Sequence, residues 1–210
     1  GLNWEVIVTD GNNDAGKQTA DVEDLPLFLF VKAYRASLPG GEVPVRLVEA
    51  DRFFNRTHLY GLAPDGRDDG LVRFACLVRG ALEGMQRLGK VPDVLHVHDW
   101  HTALAPMALA WDRGRYPGFS DTVTVLTIHN LAYQGDFSRL ELLGCDIMPD
   151  ERLFGGPAPT KRANMLKTGL EFADSLSTVS PTYAKEITDP WFGHGLDPLL
   201  AAHEDKLRGI

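Results

Sequence analysis

Cysteine is scarce in this sequence: Cys76 and Cys145 are the only two among 210 residues. They fit no metal-ligand spacing and are too few for a disulfide framework. Cys76 falls inside an apolar helical pattern and reads as a buried free thiol, which suits a reducing compartment. No apolar run approaches the roughly 20 residues that span a bilayer, and no signal peptide is visible. Basic residues are outnumbered, 21 Lys and Arg against 29 Asp and Glu, for a net charge of −8. That balance argues against nucleic acid as the main partner and leaves room only for a local basic pocket. A spaced-glycine dinucleotide fingerprint is also missing; the glycine-containing stretch 10–16 reads as a surface turn. There is no internal repeat and no low-complexity tract. The apolar share of 44% and charged share of 24% are those of an ordinary soluble domain. The length suits one domain with a real core. The chain opens on Gly1 rather than Met and enters a strand almost at once, so it is expected to be a piece of a longer protein.

What is present gathers around residues 94–101. Val94-Leu95-His96-Val97-His98 follows Pro92, is too short for a helix, and predicts a strand buried on both faces. Residues 103–111 predict a helix with Thr102 as N-cap and Pro106 near the first turn. Asp99, Trp100 and His101 fall in the elbow between, at the C-terminal edge of a parallel sheet, where open α/β sheets bind ligands. The design repeats at 122–128, a β-branched strand that stops at His129-Asn130 and continues as Leu131-Ala132-Tyr133-Gln134-Gly135. Two such strands would bring Asp99, His101, His129 and Asn130 to one rim.

Around this centre the pattern predicts strands over 5–9, 27–31 and 43–50, with a turn at 39–41. A polar loop over 51–69 carries Arg52, Phe53, Phe54, Arg56, His58 and Tyr60, and loops of that length are usually functional or mobile. Apolar residues recur at three and four from Leu71 to Met85, an amphipathic helix over 71–88 closed by Gly89. Residues 136–159, with three prolines and several glycines, predict an irregular segment or flap. A helix over 160–173, a strand over 175–179 and a helix capped by Ser180 with Pro181 at its first position complete the chain. The alternation implies right-handed crossovers and a helix-flanked parallel sheet.

The rim residues admit two chemistries. His96 and His98, two apart on a strand, share a face. With Asp99 and His101 they look like the ligand set of a metal-dependent hydrolase, since imidazole and carboxylate bind zinc. The order H-x-H-D-x-H counts against this, because the familiar hydrolase motif places its acid one position later. A buried strand would also leave one of His96 and His98 as a hydrogen-bonded core residue. The other chemistry is a sugar-binding rim, with Asp99, His129 and Asn130 as hydroxyl partners and Trp100 and Tyr133 as aromatic faces. Plainer readings stand beside both: Asp99 as a helix cap, His129 as a satisfied loop residue, Lys167 as a solvated helix lysine, and Trp111 and Trp191 as packing. Arg52 and Arg56 read as a solvated loop face.

Three longer stretches carry more. His96-Val97-His98-Asp99-Trp100-His101-Thr102-Ala103-Leu104-Ala105-Pro106, then Thr127-Ile128-His129-Asn130-Leu131-Ala132-Tyr133-Gln134-Gly135, then Leu166-Lys167-Thr168-Gly169-Leu170 with Ser177-Thr178-Val179-Ser180-Pro181-Thr182-Tyr183-Ala184, resemble bacterial glycogen synthase and plant starch synthase. Arg73-Phe74-Ala75 and Tyr60-Gly61 are similar to the same family, and the likeness runs from about residue 45 to 210. The resemblance implies an α/β fold: a Rossmann-like parallel sheet flanked by helices, the N-terminal half of a two-Rossmann-domain (GT-B) glycosyltransferase. On that expectation residues 1–210 are the acceptor-side domain, truncated at both ends, with the C-terminal donor-binding domain absent. The implied activity is retaining transfer of glucose from ADP-glucose to the non-reducing end of an α-1,4-glucan. Asp99 and His129 are then the catalytic positions, and Asn130, Trp100, His101, Tyr133, Gln134 and Tyr60 the substrate-binding ones. The donor substrate is ADP-glucose and the acceptor an α-1,4-glucan; no cofactor, metal, nucleic acid or membrane is implied. The oligomeric state is open. The location is the bacterial cytoplasm, or the plastid if the source is a plant.

There are departures from the family pattern. Its lysine-and-glycine N-terminal loop has no counterpart here, and Gly70 stands where the family usually has Asn at a helix start. Without that loop and the donor domain, these residues are expected not to turn over by themselves. The alternatives are a related GT-B transferase with another nucleotide sugar, the metal-dependent hydrolase on His96, His98, Asp99 and His101, and a glucan-binding module without a catalytic partner.

Overall fold

The computed structural model describes residues 6–8, 21–28, 31–37, 44–55, 60–62, 66, 68–145, 147, 151–154 and 162–210. The chain divides into two compact units, residues 1–90 and 91–210, taken here one at a time.

In the first unit, β1 (Val6–Val8), β2 (Asp21–Phe28), β3 (Val31–Ser37) and β4 (Pro44–Glu49) form a sheet in the order β1-β4-β3-β2. β1 and β4 run parallel; β4, β3 and β2 are successively antiparallel. The apolar run expected as one strand over 27–31 is divided between two, because Phe28 pairs with Val31 across an antiparallel ladder. A short apolar run has no period that would mark such a reversal. The 51–69 segment opens with a single helical turn, α1 (Asp51–Phe54). The glycine turn at 39–41, Arg56 and His58 lie outside the described residues.

The amphipathic helix is present as α2 (Gly70–Arg87), burying Leu71, Phe74, Ala75, Leu77, Val78, Leu82 and Met85. Gly70 is no obstacle at its start: the Gly70 N–H donates to the Asp68 carboxylate at 3.0 Å. Arg73, although buried, lies 3.9 Å from Asp69 and over the Phe74 ring. Gly89, at φ +62°, ends the helix in the left-handed conformation that glycine adopts without strain. Cys76 is half-buried on α2, and burial pushes its thiol pKa up to about 11.

The second unit begins with β5 (Val94–His98), runs through the helical turn α3 (Asp99–Thr102) into α4 (Leu104–Trp111), and returns as β6 (Val123–Ile128). Next come β7 (Asp136–Ser138), α5 (Arg139–Gly144), β8 (Arg162–Asn164), α6 (Met165–Phe172) and β9 (Ser175–Thr178). Then α7 (Pro181–Glu186), α8 (Asp197–Ala202) and β10 (Leu207–Gly209) close the chain. The sheet β10-β9-β6-β5 is wholly parallel, as the alternating pattern implies. Leu126, Ile128 and Leu176 on its two central strands are fully buried, as are Leu166 and Leu170 of α6, and Leu126 lies against Gly169 of that helix.

Several boundaries differ from expectation for identifiable reasons. β5 is not buried on both faces. Val97 is buried, whereas Val94, His96 and His98 are exposed, so the strand alternates and ends its sheet. The 136–159 segment contains a strand and a helix. Ser138 Oγ accepts from Glu141 N–H, and the Glu141 carboxylate from Ser138 N–H, a capping box that the S-x-x-E spelling announces. Residues 155–159, the core of the expected flap, lie outside the described residues. The helix expected from 160 starts at Met165 because Asn164 caps it, its Oδ1 accepting from Lys167 N–H at 2.7 Å. Ser180 and Pro181 open α7 as expected. No helix among the described residues is long and apolar enough to cross a membrane.

Packing leaves no room for a side chain at Gly169 on α6. A Cβ there would lie 2.7 Å from Ala103 Cβ and 2.9 Å from a methyl of Leu126. Gly169→Val is therefore expected to destabilise the chain by about 2–3 kcal/mol through overpacking. A urea unfolding midpoint equal to that of the natural chain would show that α6 has room to move.

Candidate functional site

The C-terminal ends of β5 and β6 lie side by side because the strands are parallel neighbours, His98 opposite Thr127. The chain must leave β5 abruptly, and Asp99 makes the turn with φ +52°. Asp is among the few non-glycine residues that tolerate this conformation, at a cost of about 1–2 kcal/mol. The Thr102 hydroxyl secures the bend, accepting from His98 N–H at 2.7 Å and donating to His98 O at 2.9 Å. Those bonds displace the expected role of Thr102 as N-cap, and the helix starts four residues earlier, at Asp99.

The Asp99 side chain does not cap the helix it begins. It crosses to the next strand, where Oδ1 accepts from His129 N–H at 2.8 Å and more loosely from Asn130 N–H at 3.4 Å. Asp99 and His129 thus share one rim, with Asp99 only half-buried and His129 exposed. Among the described residues, Oδ2 of the same carboxylate accepts no hydrogen bond. The reading of Asp99 as a helix cap falls.

The histidines form a line across the sheet. His129 Nε2 lies 3.0 Å from His98 Nδ1, and the His98 ring packs 4.4 Å from that of His96. His96 Nε2 is 2.6 Å from Thr127 Oγ1, which is 2.6 Å from Ser177 Oγ on β9. Although both rings are exposed, partial desolvation, followed by the neighbouring imidazoles, lowers the pKa of His98; partial desolvation, followed by His129, lowers that of His96.

The other expected rim residues divide into two groups. Asn130 and Tyr133 are exposed, Tyr133 to 68%, and the Asn130 side chain holds its own loop by accepting from Ala132 N–H at 3.0 Å. Trp100 and Gln134 are framework. Trp100 stacks on His101, meets Phe137, and lies so close to Gly135 that a Cβ there would be 2.4 Å from the indole. Gln134 Nε2 donates to Leu131 O and His194 O, both at 3.1 Å, while Oε1 accepts from the capping Asn164. His101 faces the Trp100 ring. Tyr60, 60% exposed, belongs to the first unit. Lys167 is not a solvated lysine: its ammonium donates to Arg152 O and Phe154 O. Trp111 packs on Phe172 as expected, but Trp191 does not pack, being 86% exposed.

Sequence reasoning missed the tie between Gln134 and the 188–196 loop, and the link from His98 to His129. Neither has a local spelling, since 31 residues separate the two histidines and 60 separate Gln134 from His194. The hydrolase alternative finds no support. Among the described residues, no three His, Cys, Asp or Glu side chains are placed to hold a metal ion. His96 Nε2 is engaged by Thr127 and His98 Nδ1 by His129, while His101 stacks on Trp100, so the proposed ligands do not converge on one point.

Two outcomes test this geometry. Gly135→Ala, at φ +68° against the indole, is expected to cost about 2–4 kcal/mol and to shift Trp100 fluorescence. The lowered His96 and His98 pKa values mean that the folded chain binds fewer protons than the unfolded one. Their contribution is complete above the ordinary value of 6.5 and is lost as pH falls through 6.5 toward the lower folded values. Urea midpoints measured from pH 8 to about pH 5 should fall on the acid side, and should fall less in His96→Gln. A profile unchanged by that substitution would remove His96 from the account.

Known proteins resemble this chain over most of its length. The starch synthase catalytic domain model matches residues 6–202. The glycogen synthase of Anaeromyxobacter sp. (strain Fw109-5) is 42% identical over 191 residues, 90% of this chain and 38% of that protein. The Myxococcus xanthus glycogen synthase is 44% identical over 167 residues, 78% of this chain and 34% of its own length. The chain therefore spans little more than a third of these relatives. The catalytic domain of Starch Synthase IV from Arabidopsis thaliana, solved bound to ADP and acarbose, superposes with a TM-score of 0.75 at 33% identity, covering 86% of this chain and 36% of that one. With its parallel, helix-flanked sheet and a family match over nearly its whole length, the chain belongs to the starch synthase catalytic domain family.

Proposed function

We propose that this chain forms the acceptor-side wall of a retaining glucosyltransferase that moves glucose from ADP-glucose to the 4-hydroxyl at the non-reducing end of an α-1,4-glucan. The observation that carries the reading is the Asp99–His129 junction: a carboxylate and an imidazole from adjacent parallel strands, joined by a 2.8 Å bond and open at one rim. A sugar hydroxyl both donates and accepts, so it needs an acceptor such as Asp99 Oδ2 and a ring nitrogen such as that of His129, both held in place beforehand. Tyr133, exposed on the loop that follows His129, offers an aromatic face of the kind that covers a pyranose ring. Transfer with retention and without a covalent enzyme intermediate depends on placing that hydroxyl beside the departing diphosphate and stabilising the charge that develops there.

The donor is ADP-glucose, a substrate rather than a resident cofactor, and the other partner is the glucan chain. Support comes from the names of the bacterial relatives and from the ADP and acarbose bound by the Arabidopsis enzyme. Action in the bacterial cytoplasm is part of this proposal; the relatives named above are bacterial.

The test uses the natural protein that contains this chain, with glycogen as acceptor and ADP-glucose or UDP-glucose as donor. Glucose incorporation with ADP release is expected, with ADP-glucose preferred. Asp99→Asn keeps an acceptor for the His129 N–H but removes the charge, and should lower kcat by about 10²–10³ with the fold intact. Turnover equal to that of the natural protein in Asp99→Asn, or no transfer from either donor, would end this reading.

A further inference from the structure

The pair His98–His129 is unusual because an exposed imidazole normally samples several rotamers and both neutral tautomers. Here the freedom of both rings is restricted from several sides. The His98 backbone is clamped at N–H and C=O by the Thr102 hydroxyl, and its ring lies against His96. His96 is itself anchored through Thr127 to the buried Ser177 on β9, so the brace reaches across three strands. On the other side, the backbone of His129 is held by Asp99. Between the rings only one nitrogen pair, His98 Nδ1 and His129 Nε2, is within hydrogen-bonding distance, at 3.0 Å.

We infer that His98 is a positioning residue: its Nδ1 holds His129 Nε2, fixing the orientation and tautomer of that ring and leaving His129 Nδ1 as the nitrogen offered to a ligand hydroxyl. A neutral imidazole has one N–H and one lone pair, so committing Nε2 determines what Nδ1 can do. Partial desolvation and the adjacent rings lower the pKa of His98, which keeps it neutral near pH 7 and leaves one proton between the two rings. Ordering a side chain before the ligand arrives removes that entropy loss from binding. The identity of the ligand rests on the proposed function; the tautomer of His129 does not.

The experiment therefore has two arms, run on the natural chain, His98→Ala and His98→Asn, each first shown by circular dichroism to be folded. In the first, long-range 1H–15N spectra at pH 7.5 read the two ring nitrogens of His129. The natural chain is expected to show widely separated shifts, the mark of one neutral tautomer. In His98→Ala they should converge toward their average. In His98→Asn, whose amide reaches the place of Nδ1, they should stay apart. Averaged shifts in the natural chain, or separated shifts in His98→Ala, overturn the inference. In the second arm maltohexaose is titrated. His98→Ala should weaken binding about tenfold and His98→Asn no more than about threefold. Equal affinity in all three overturns the claim that positioning serves the ligand. Absence of binding even in the natural chain, with the expected spectra, overturns the glucan reading and upholds the positioning.

Discussion

The second unit depends on one carboxylate that leaves its own helix for a neighbouring strand. Asp99 ends β5 in a left-handed turn and accepts the backbone N–H of His129 beyond the end of β6. Parallel strands have no hairpin to register their ends, so their C-terminal loops need a lateral tie if they are to present side chains in fixed relation. Asp99 is that tie, and its second oxygen is still available to a ligand. The strain of its backbone is maintained by the two Thr102 hydrogen bonds to His98 and by the packing of Ala103, fully buried, against Gly169. A residue without a short acceptor side chain would have the strain without the tie.

The loop after β6 extends the same construction to the rest of the unit. Gln134 O and Gly135 O accept the Leu166 and Met165 N–H groups at the start of α6, while the Gln134 side chain reaches the α6 cap and the His194 carbonyl. Gly135 lets the loop pass directly over the Trp100 indole. The aromatic residue and the amide of the rim thus act mainly on the protein. Their effect on a ligand comes through the placement of Asp99, His129 and Tyr133, and substitution at Trp100 or Gln134 should disturb several of these together.

The sequence was legible where a signal is local. The β-branched run of β6, the amphipathic spacing of α2 and the Ser180-Pro181 start of α7 each map to an element within a residue or two. The Asp99–His129 meeting was also legible, because two strands that end in polar clusters and run parallel leave those clusters little choice of place. Where two local signals competed, the pattern failed: Thr102 looked like an N-cap until the turn at Asp99 took its hydroxyl, and Asn164 was overlooked as a cap inside a longer helical pattern. The division of 27–31 into two strands rests on antiparallel pairing, which a run without alternation does not record. The same holds for the line of His129, His98, His96, Thr127 and Ser177, whose contacts join strands 30 to 50 residues apart.

The electrostatics of the rim also bear on what it can bind. Its central charge is the Asp99 carboxylate, and the adjoining His96 and His98 have lowered pKa values, so they contribute little positive charge at neutral pH. Several cations elsewhere in the second unit are turned toward carbonyls: Lys167 to residues 152 and 154, Lys206 to the C-terminal carbonyls of α6, Arg162 to Asp136 O, and Arg208 to residues 204 and 207. A diphosphate approaching Asp99 would meet like charge with little to offset it, and anion recognition needs cations or convergent N–H groups. A polyol meets what it needs, a carboxylate oxygen, an ordered imidazole and an aromatic face. On the proposed function, such a rim suits the neutral end of a glycosyl transfer, and the charge of a leaving diphosphate would be met by groups other than these.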